Sequence, residues 1–136
     1  MKIFICCSKV FYDKVPKIKS CLEAKGHKIT LPNSFDDPLM EEKMRGKGAS
    51  FHSKWKGEII KEQGKKIRRN DAILVLNFKK NNQPNYIGGA TFLEMFKAFE
   101  LGKKIFLFNS IPEGMLRDEI QGFGPTIING NLKLVK

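Results

Sequence analysis

Two apolar runs in the chain lack the alternation that marks a half-exposed strand. Residues 73–76 read Ile-Leu-Val-Leu, and the segment KKIFLFN at 103–109 is similarly continuous. A strand with one face in water alternates apolar and polar side chains, whereas a strand covered on both faces is apolar throughout. Strands of the second kind belong to parallel sheets, whose crossover helices cover both faces. The two runs therefore predict an α/β fold.

The other segments alternate between strand and helix patterns. Strands are predicted at 2–6, 27–31, 71–78, 103–109 and 125–129, and helices at 12–26, 53–70, 88–102 and 113–121. The polar segment Asn33–Ser53, interrupted by Pro38, Gly46 and Gly48, is predicted to be a long loop. This order predicts a doubly wound parallel sheet of about five strands, with helices on both faces and right-handed crossovers.

Length and composition fit one domain spanning residues 1–136. Of the 136 residues, 41% are hydrophobic and 10% aromatic, which suits a packed core. No apolar run approaches the ~20 residues needed to cross a bilayer. The first ten residues lack the cleavage site of a signal peptide. A cytoplasmic location without a membrane partner is therefore expected.

Metal and cofactor chemistry finds little support in the sequence. Three cysteines, an odd number, argue against a disulfide framework. Cys6 and Cys7 are adjacent on a strand and point to opposite faces, and His27 and His52 stand alone. Neither a G-x-G-x-x-G turn after the first strand nor a G-x-x-x-x-G-K-[ST] loop is present. We expect no metal and no cofactor, and we interpret the cysteines as small buried hydrophobic residues.

The net charge of +11 favours an anionic partner. Ten Lys or Arg residues and only two acids lie between Lys43 and Arg69. Such a field attracts phosphate groups in a nucleotide, an RNA or a DNA. No RNA-binding aromatic motif or zinc finger accompanies it, and lysines scattered over the chain also keep a protein in solution. Specific nucleic-acid binding stays open as an alternative.

In parallel α/β sheets, ligands bind beyond the carboxyl ends of the strands, near the point where the strand order reverses. Polar residues follow several predicted strand ends, and the helix that begins at residues 88–91 opens on the same edge. Free backbone N–H groups at such a helix start bind anions. The predicted substrate-binding residues are Ser8, Asn77, Gly88, Gly89, Thr91 and Asn109.

Few side chains at this edge are suited to covalent chemistry. The third strand ends at Asn77, where a phosphoacceptor site would need Asp, and no G-x-S-x-G turn is present. Neither histidine lies in a segment that the sequence places at the edge. Glu94 remains as the candidate reactive group.

A structural role for Glu94 is the competing interpretation. Thr91-Phe92-Leu93-Glu94 has the T-x-x-E form of a capping box, and an acid in the first turn is stabilised by the helix dipole. The apolar stripe Phe92, Met95, Phe96 and Phe99 predicts a buried face that excludes Glu94.

The segments DAILVLN and YIGGATFLEMFKAFELGKKIFLFN together resemble the diagnostic segment of the nucleoside 2-deoxyribosyltransferase-like family. Both have a strand, a glycine-bearing turn, a helix that opens with Glu, and a Lys nine residues later, here Glu94 and Lys103. The order of elements over residues 1–110 agrees as well. The resemblance implies a single domain of that family with a flavodoxin-like, Rossmann-like fold.

The resemblance also implies an activity. In that family the Glu attacks the anomeric carbon of a nucleoside, releases the base and holds the sugar as an ester, until a second base or water takes the sugar. It thus implies that Glu94 is the nucleophile, that Tyr12 orients it, and that Ser8, Gly89 and Thr91 hold a substrate phosphate. A transferase or a nucleotide N-glycosidase acting on a small nucleoside or nucleotide, and a homo-oligomer, are expected. A TIR-like nicotinamide-dinucleotide hydrolase, which uses one Glu on a related fold, is a variant of this interpretation.

Two departures from the family pattern favour a different class of function. Phe96 stands where the family usually has a small Gly, and Gln63 stands where it commonly has an acid. A non-catalytic nucleotide-binding or sensing domain on the same scaffold is therefore the first alternative. A basic nucleic-acid-associated protein is the second.

Overall fold

The computed structural model describes all 136 residues, Met1–Lys136, and contains a five-stranded, all-parallel sheet. The strands are β1 (Lys2–Cys6), β2 (Lys28–Thr30), β3 (Ala72–Val75), β4 (Lys104–Leu107) and β5 (Thr126–Ile127). Their order in the sheet is β2-β1-β3-β4-β5, so the strand order reverses between β1 and β3. The predicted α/β, doubly wound, flavodoxin-like fold is confirmed.

Five α-helices connect the strands: α1 (Val15–Glu23), α2 (Met40–Gly46), α3 (Ala49–Arg69), α4 (Gly89–Glu100) and α5 (Arg117–Phe123). Short 3-10 helices lie at Lys9–Lys14 and Leu132–Leu134. The prediction of a long loop over Asn33–Ser53 is wrong, because this segment contains α2 and the start of α3. The last helix begins at Arg117, four residues later than the predicted start.

The core has two layers, one on each face of the sheet. Along β1, Ile3 and Ile5 face α1, whereas Phe4 and Cys6 face α3 and α4, and all four are fully buried. β3 divides in the same way, so neither strand has a solvent-facing side. This two-sided burial explains the continuous apolar runs of the sequence.

Helix α4 buries a different face from the predicted one. Its buried residues are Thr91, Glu94, Met95 and Ala98. Phe96 and Phe99 are about half exposed, at 45% and 50%, and their rings lie near that of Phe123 on α5. The predicted stripe is confirmed for Met95, and Phe92 packs against the same core, but the prediction is wrong for Phe96 and Phe99. Glu94, which the prediction excluded, lies on the buried face.

No helix in the structure combines the length and the apolar character needed to cross a membrane.

Candidate active site

A cavity of about 510 Å³ opens at the reversal of strand order. It is lined by the segments after β1, β2 and β3, by the first turns of α4, and by α2 and α3. Placement at this point follows from the topology, since the segments after β1 and β3 leave the sheet toward opposite faces. The volume lies in the range of small-molecule sites.

Six of the eight predicted site residues line this cavity: Ser8, Tyr12, Gly88, Gly89, Thr91 and Glu94. Asn77 and Asn109 do not. The Asn77 side chain accepts a bond from the backbone N–H of Asn109 (2.8 Å) and donates one to the carbonyl of Ser110 (2.9 Å). Both amides therefore join the ends of β3 and β4, and their substrate-binding role stays a prediction that this placement disfavours.

Glu94 lies in the second turn of α4, with its side chain on the buried face. The helix begins at Gly89 and has Gly88 as its N-cap, and no side chain caps it. The capping-box interpretation is therefore wrong, because the helix starts before Thr91. Only 5% of Glu94 is exposed, and the exposed part lies on the cavity wall.

The environment of Glu94 disfavours its charged form. Burial raises its pKa from 4.5 to about 8, although the thiol of Cys6 and the ammonium groups of Lys66 and Lys56 act in the opposite direction. The Cys6 thiol lies 3.8 Å from the carbonyl oxygen of Phe4 and also faces Glu94, so its one proton has two acceptors. Glu94 is thus largely protonated at neutral pH.

Tyr12 shares the cavity with Glu94 through the 3-10 helix that follows β1. Its ring packs against Phe35 at 5.4 Å between centroids. Burial, together with the neighbouring Cys7 and Glu94, raises the pKa of its hydroxyl. The phenol is therefore neutral and keeps its proton available for donation. Its assignment as the residue that orients Glu94 stays a prediction.

The wall formed by α2 and α3 was not predicted, and it carries a second acid. Glu41 Oε2 lies 3.1 Å from His52 Nε2 and 2.9 Å from Lys56 Nζ, and Arg45 lies 3.8 Å away. Burial alone would raise the pKa of Glu41, but the hydrogen bonds from Lys56 and His52 lower it overall. Glu41 is therefore ionised, in contrast to Glu94.

The view that neither histidine lies at the site is wrong for His52, because the helical fold of residues 40–52 brings it to the cavity. A signal was present, since Glu41, Arg45, His52 and Lys56 follow i, i+4 spacing within each helix. Gly46 and Gly48 favoured the prediction of a loop in this segment, so the helical spacing did not lead to a prediction of two helices.

Cations surround the mouth and walls of the cavity. Lys9, Arg45, Lys56 and Lys80 line it, together with Gln63 beside Glu94. Lys9 pairs with Glu42, just outside the lining. Lys80 lies over the ring of Tyr86 at 4.6 Å. With Glu94 protonated, Glu41 is the one charged acid on the walls, so the cavity is electropositive and suits an anionic ligand.

The start of α4 is closely fitted to the cavity. Gly88 lies under Tyr86, and a Cβ at position 88 would come within 3.1 Å of the Tyr86 hydroxyl. A glycine at this N-cap lets the ring lie over the helix start, where free N–H groups point outward. No group of three or more His, Cys, Asp or Glu side chains is placed to hold a metal ion.

The strand order and the site at its reversal define a flavodoxin-like α/β fold. Among solved structures, the chain is similar to the CMP N-glycosidase BcmB of Clostridium botulinum. The TM-score is 0.54 over 93% of this chain and 84% of that one, at 17% sequence identity. At this identity the similarity shows a shared fold. No protein-family model matches the chain, and no curated protein matches it.

Proposed function

We propose that the protein cleaves the N-glycosidic bond of a nucleotide, with Glu94 as the nucleophile. The observation that carries the proposal is the position of Glu94, whose buried carboxyl meets the cavity at the reversal of strand order. A carboxylate there both stabilises an oxocarbenium-like transition state and captures the sugar as an ester. The fold shared with a CMP N-glycosidase supports this class of reaction.

The anionic character of the substrate follows from the charges of the walls. Arg45, Lys56 and Lys80 line the cavity and attract a phosphate. Gly89, Ser8 and Thr91 line the same cavity, which supports the proposal that the N–H groups at Gly89 and the two hydroxyls bind the phosphate. Binding would leave the sugar between this phosphate site and Glu94. Water, or a second base, would then release the sugar from the enzyme.

The raised pKa of Glu94 is compatible with a nucleophile that is protonated at neutral pH until its ionised form is needed. Burial keeps the carboxyl protonated at neutral pH, so the ionised form becomes available as pH rises or as positive charge develops on a bound sugar. Desolvation makes the ionised carboxylate a stronger nucleophile than one solvated by water.

The direct test is incubation with ribo- and deoxyribonucleosides and their 5′-monophosphates, followed by chromatography of free base. We expect base release from monophosphates by the wild type and none by Glu94→Gln. Equal release by the two proteins would eliminate Glu94 as the nucleophile. No release from any of these substrates by the wild type would eliminate the activity for them.

A nucleotide-binding domain without turnover is the second candidate, and one observation favours it. A carboxyl with a pKa of about 8 is largely uncharged at neutral pH, and an uncharged carboxyl is a poor nucleophile. Titration calorimetry separates the candidates. Tight binding of a monophosphate that is recovered intact after prolonged incubation would select the sensor.

The remaining expectations stay predictions. Residues 1–136 are proposed to form one nucleoside 2-deoxyribosyltransferase-like domain, and a homo-oligomer is expected from the resemblance. For the basic segment Lys43–Arg69, two of the cations, Arg45 and Lys56, line the cavity, which favours a small anion over a nucleic acid. Binding to DNA or RNA that weakens steeply with salt would reverse that preference.

A further inference from the structure

Gln63 is a buried residue whose amide lacks a hydrogen-bond partner in the protein. Only 7% of it is exposed, and none of the side-chain hydrogen bonds at α3 involves it. Asn33 Oδ1 is the one fully enclosed side-chain oxygen or nitrogen without a partner, so the amide of Gln63 is open to the cavity that it lines. Native proteins rarely leave a buried amide unpaired, because the missing hydrogen bonds cost free energy. A ligand in the cavity can supply the partner.

Gln63 and Glu94 are neighbours across α3 and α4. The two helices run in the same direction, because each leads into a strand of the parallel sheet and both pack on the same face. Ile67 of α3 and Ala98 of α4 belong to one core cluster. Gln63 and Glu94 each lie one turn before these residues. Both also line the main cavity and a second cavity of about 100 Å³ between the helices, so their side chains lie side by side.

The stereochemistry of the proposed reaction identifies what a neighbour of the nucleophile meets. In a β-nucleotide the base lies on one face of the sugar ring, and the nucleophile attacks the anomeric carbon from the other face. Ribose carries its 2′-hydroxyl on the attacked face, on the carbon next to the anomeric carbon, and the 3′-hydroxyl is one carbon farther away. In 2′-deoxyribose this hydroxyl is missing, and in arabinose it lies on the face of the base. A side chain beside Glu94 therefore meets the 2′-hydroxyl of a ribonucleotide.

We propose that Gln63 binds the 2′-hydroxyl of the sugar and makes the enzyme selective for ribonucleotides over 2′-deoxyribonucleotides. This inference rests on the proposed function and deepens it, since it names the sugar. The hydroxyl donates to the amide oxygen or accepts from the amide nitrogen. In retaining glycoside hydrolysis, hydrogen bonds to the 2-hydroxyl strengthen in the transition state, so the contact contributes to the rate as well as to binding.

A neutral amide suits this position better than the acid that the family commonly has there. A carboxylate at position 63 would place a second acid beside Glu94 and raise the pKa of Glu94 further. An apolar side chain would leave a buried hydroxyl of the sugar without a partner. Gln63 offers both a donor and an acceptor without adding charge.

The test compares three sugars that carry the same base. The substrates are the 5′-monophosphates of cytosine and adenine nucleosides with ribose, 2′-deoxyribose or arabinose, and the measurement is kcat/KM for base release. Gln63→Met should lower the ribose value by at least ~10-fold and change the other two by less than ~3-fold. Comparing the ribose-to-deoxyribose ratio between the variant and the wild type removes the difference in intrinsic reactivity of the sugars.

Two further variants and a stability measurement separate recognition from structural support. Gln121→Met is the matched control, because Gln121 is exposed on α5 and lies outside the cavity, and it should match the wild type with every sugar. Gln63→Ala removes the same amide and covers the case in which Gln63→Met fails to fold. Since the amide has no partner in the protein, Gln63→Met should unfold at a denaturant concentration no lower than the wild type.

The outcomes separate the inference from the proposed function. If the wild type releases base and both variants of Gln63 keep its ribose-to-deoxyribose ratio, the inference is overturned and the function stands. If Gln63→Met loses arabinose activity as strongly as ribose activity, contact with the attacked face is overturned.

If the wild type releases no base from any of these nucleotides, the proposed function fails, and titration calorimetry with the same nucleotides decides on Gln63. A loss of affinity in Gln63→Met that is confined to the ribonucleotides would support the contact with the 2′-hydroxyl. Equal losses for all sugars, no loss, or no binding by the wild type would overturn it.

Discussion

Two glutamates line one cavity in opposite electrostatic environments. Glu94 lies inside α4, where burial raises its pKa to about 8. Glu41 lies on α2 and is surrounded by Arg45, His52 and Lys56, which hold its pKa below the usual value despite partial burial. Glu94 is therefore a neutral carboxyl at neutral pH, and Glu41 is a permanently charged carboxylate.

The contrast shows how a single site divides its chemical roles. Two carboxyl groups that share a cavity take different roles when their surroundings move their pKa values apart. Desolvation makes Glu94 the group that changes charge near neutral pH, while cations make Glu41 a fixed anchor for its neighbours. We therefore assign reactivity to Glu94 and a supporting electrostatic role to Glu41.

The largest expected difference between the two acids is in activity. Glu94→Gln should lower base release from a 5′-monophosphate by at least ~1000-fold, because a nucleophile has no substitute. Glu41→Gln should lower it by no more than ~100-fold, because Glu41 lines the cavity but forms no bond to the sugar in the proposed reaction. Base release is measured by chromatography. A greater loss of base release in Glu41→Gln than in Glu94→Gln would reverse the roles assigned to the two acids.

Stability should respond to pH in opposite directions at the two acids. The folded state keeps the Glu94 proton up to about pH 8 whereas the unfolded chain loses it near 4.5, so this group's favourable contribution is complete below pH 4.5 and is lost as pH rises to 8. At ~1.4 kcal/mol per unit, Glu94→Gln should gain ~2–5 kcal/mol relative to the wild type between pH 4.5 and 9.

Glu41 has the opposite sign. Its pKa is lowered, so its contribution is present above the unfolded pKa and is lost as pH falls through the folded pKa. Glu41→Gln should lose less than ~1 kcal/mol at pH 7, and less in high salt, because water screens the pair. Denaturant unfolding at pH 5, 7 and 9 measures both variants, and a Glu94→Gln difference that does not vary with pH would contradict the assigned burial.

Rate should follow the ionisation of Glu94 and not that of Glu41. With 4-nitrophenyl riboside 5′-phosphate as the substrate, whose nitrophenolate leaves without a proton, kcat/KM should rise about tenfold per pH unit below pH 8 and level off above it. Glu41 is ionised throughout this range and gives no second limb. A value of kcat/KM that does not change from pH 5 to 8 would show that the rate does not depend on the ionisation of Glu94.

The outer face of α4 should matter least. Phe96, which the family resemblance marked as a departure, is 45% exposed and lies outside the lining of the main cavity. Phe96→Ala should therefore leave base release within ~2-fold of wild type. A loss of more than ~10-fold would show that this outer face reaches the site.

The parallel sheet was predictable because its central strands are buried on both faces. The continuous run at 73–76 can pack only in a covered parallel sheet, and the positions of Ser8, Gly89 and Glu94 at the cavity follow from that topology. The helix–strand alternation thus determined the location of the site.

Two parts of the site could not be read from local patterns. Helix α2 buries no residue, and its N-cap Leu39 makes no capping bond, so neither periodicity nor a cap distinguishes it from a loop. Thr91 and Glu94 match a capping box, but the helix starts at Gly89, because the tertiary structure and not the motif sets its start. The phenylalanines of α4 have the spacing of a core stripe, but their rings lie near Phe123 on α5. The local pattern could not show these contacts, because α5 is distant in sequence.

The most direct test of the central claim is to trap the glycosyl ester on Glu94. The enzyme is mixed with a 2-fluoro-substituted nucleoside 5′-monophosphate, whose fluorine slows release of the ester, quenched in acid, and measured by intact and peptide mass spectrometry. The account predicts one added sugar phosphate on the peptide containing Glu94, absent in Glu94→Gln and present in Glu41→Gln. Free base released by the wild type without any adduct, or an adduct on another residue, would contradict it.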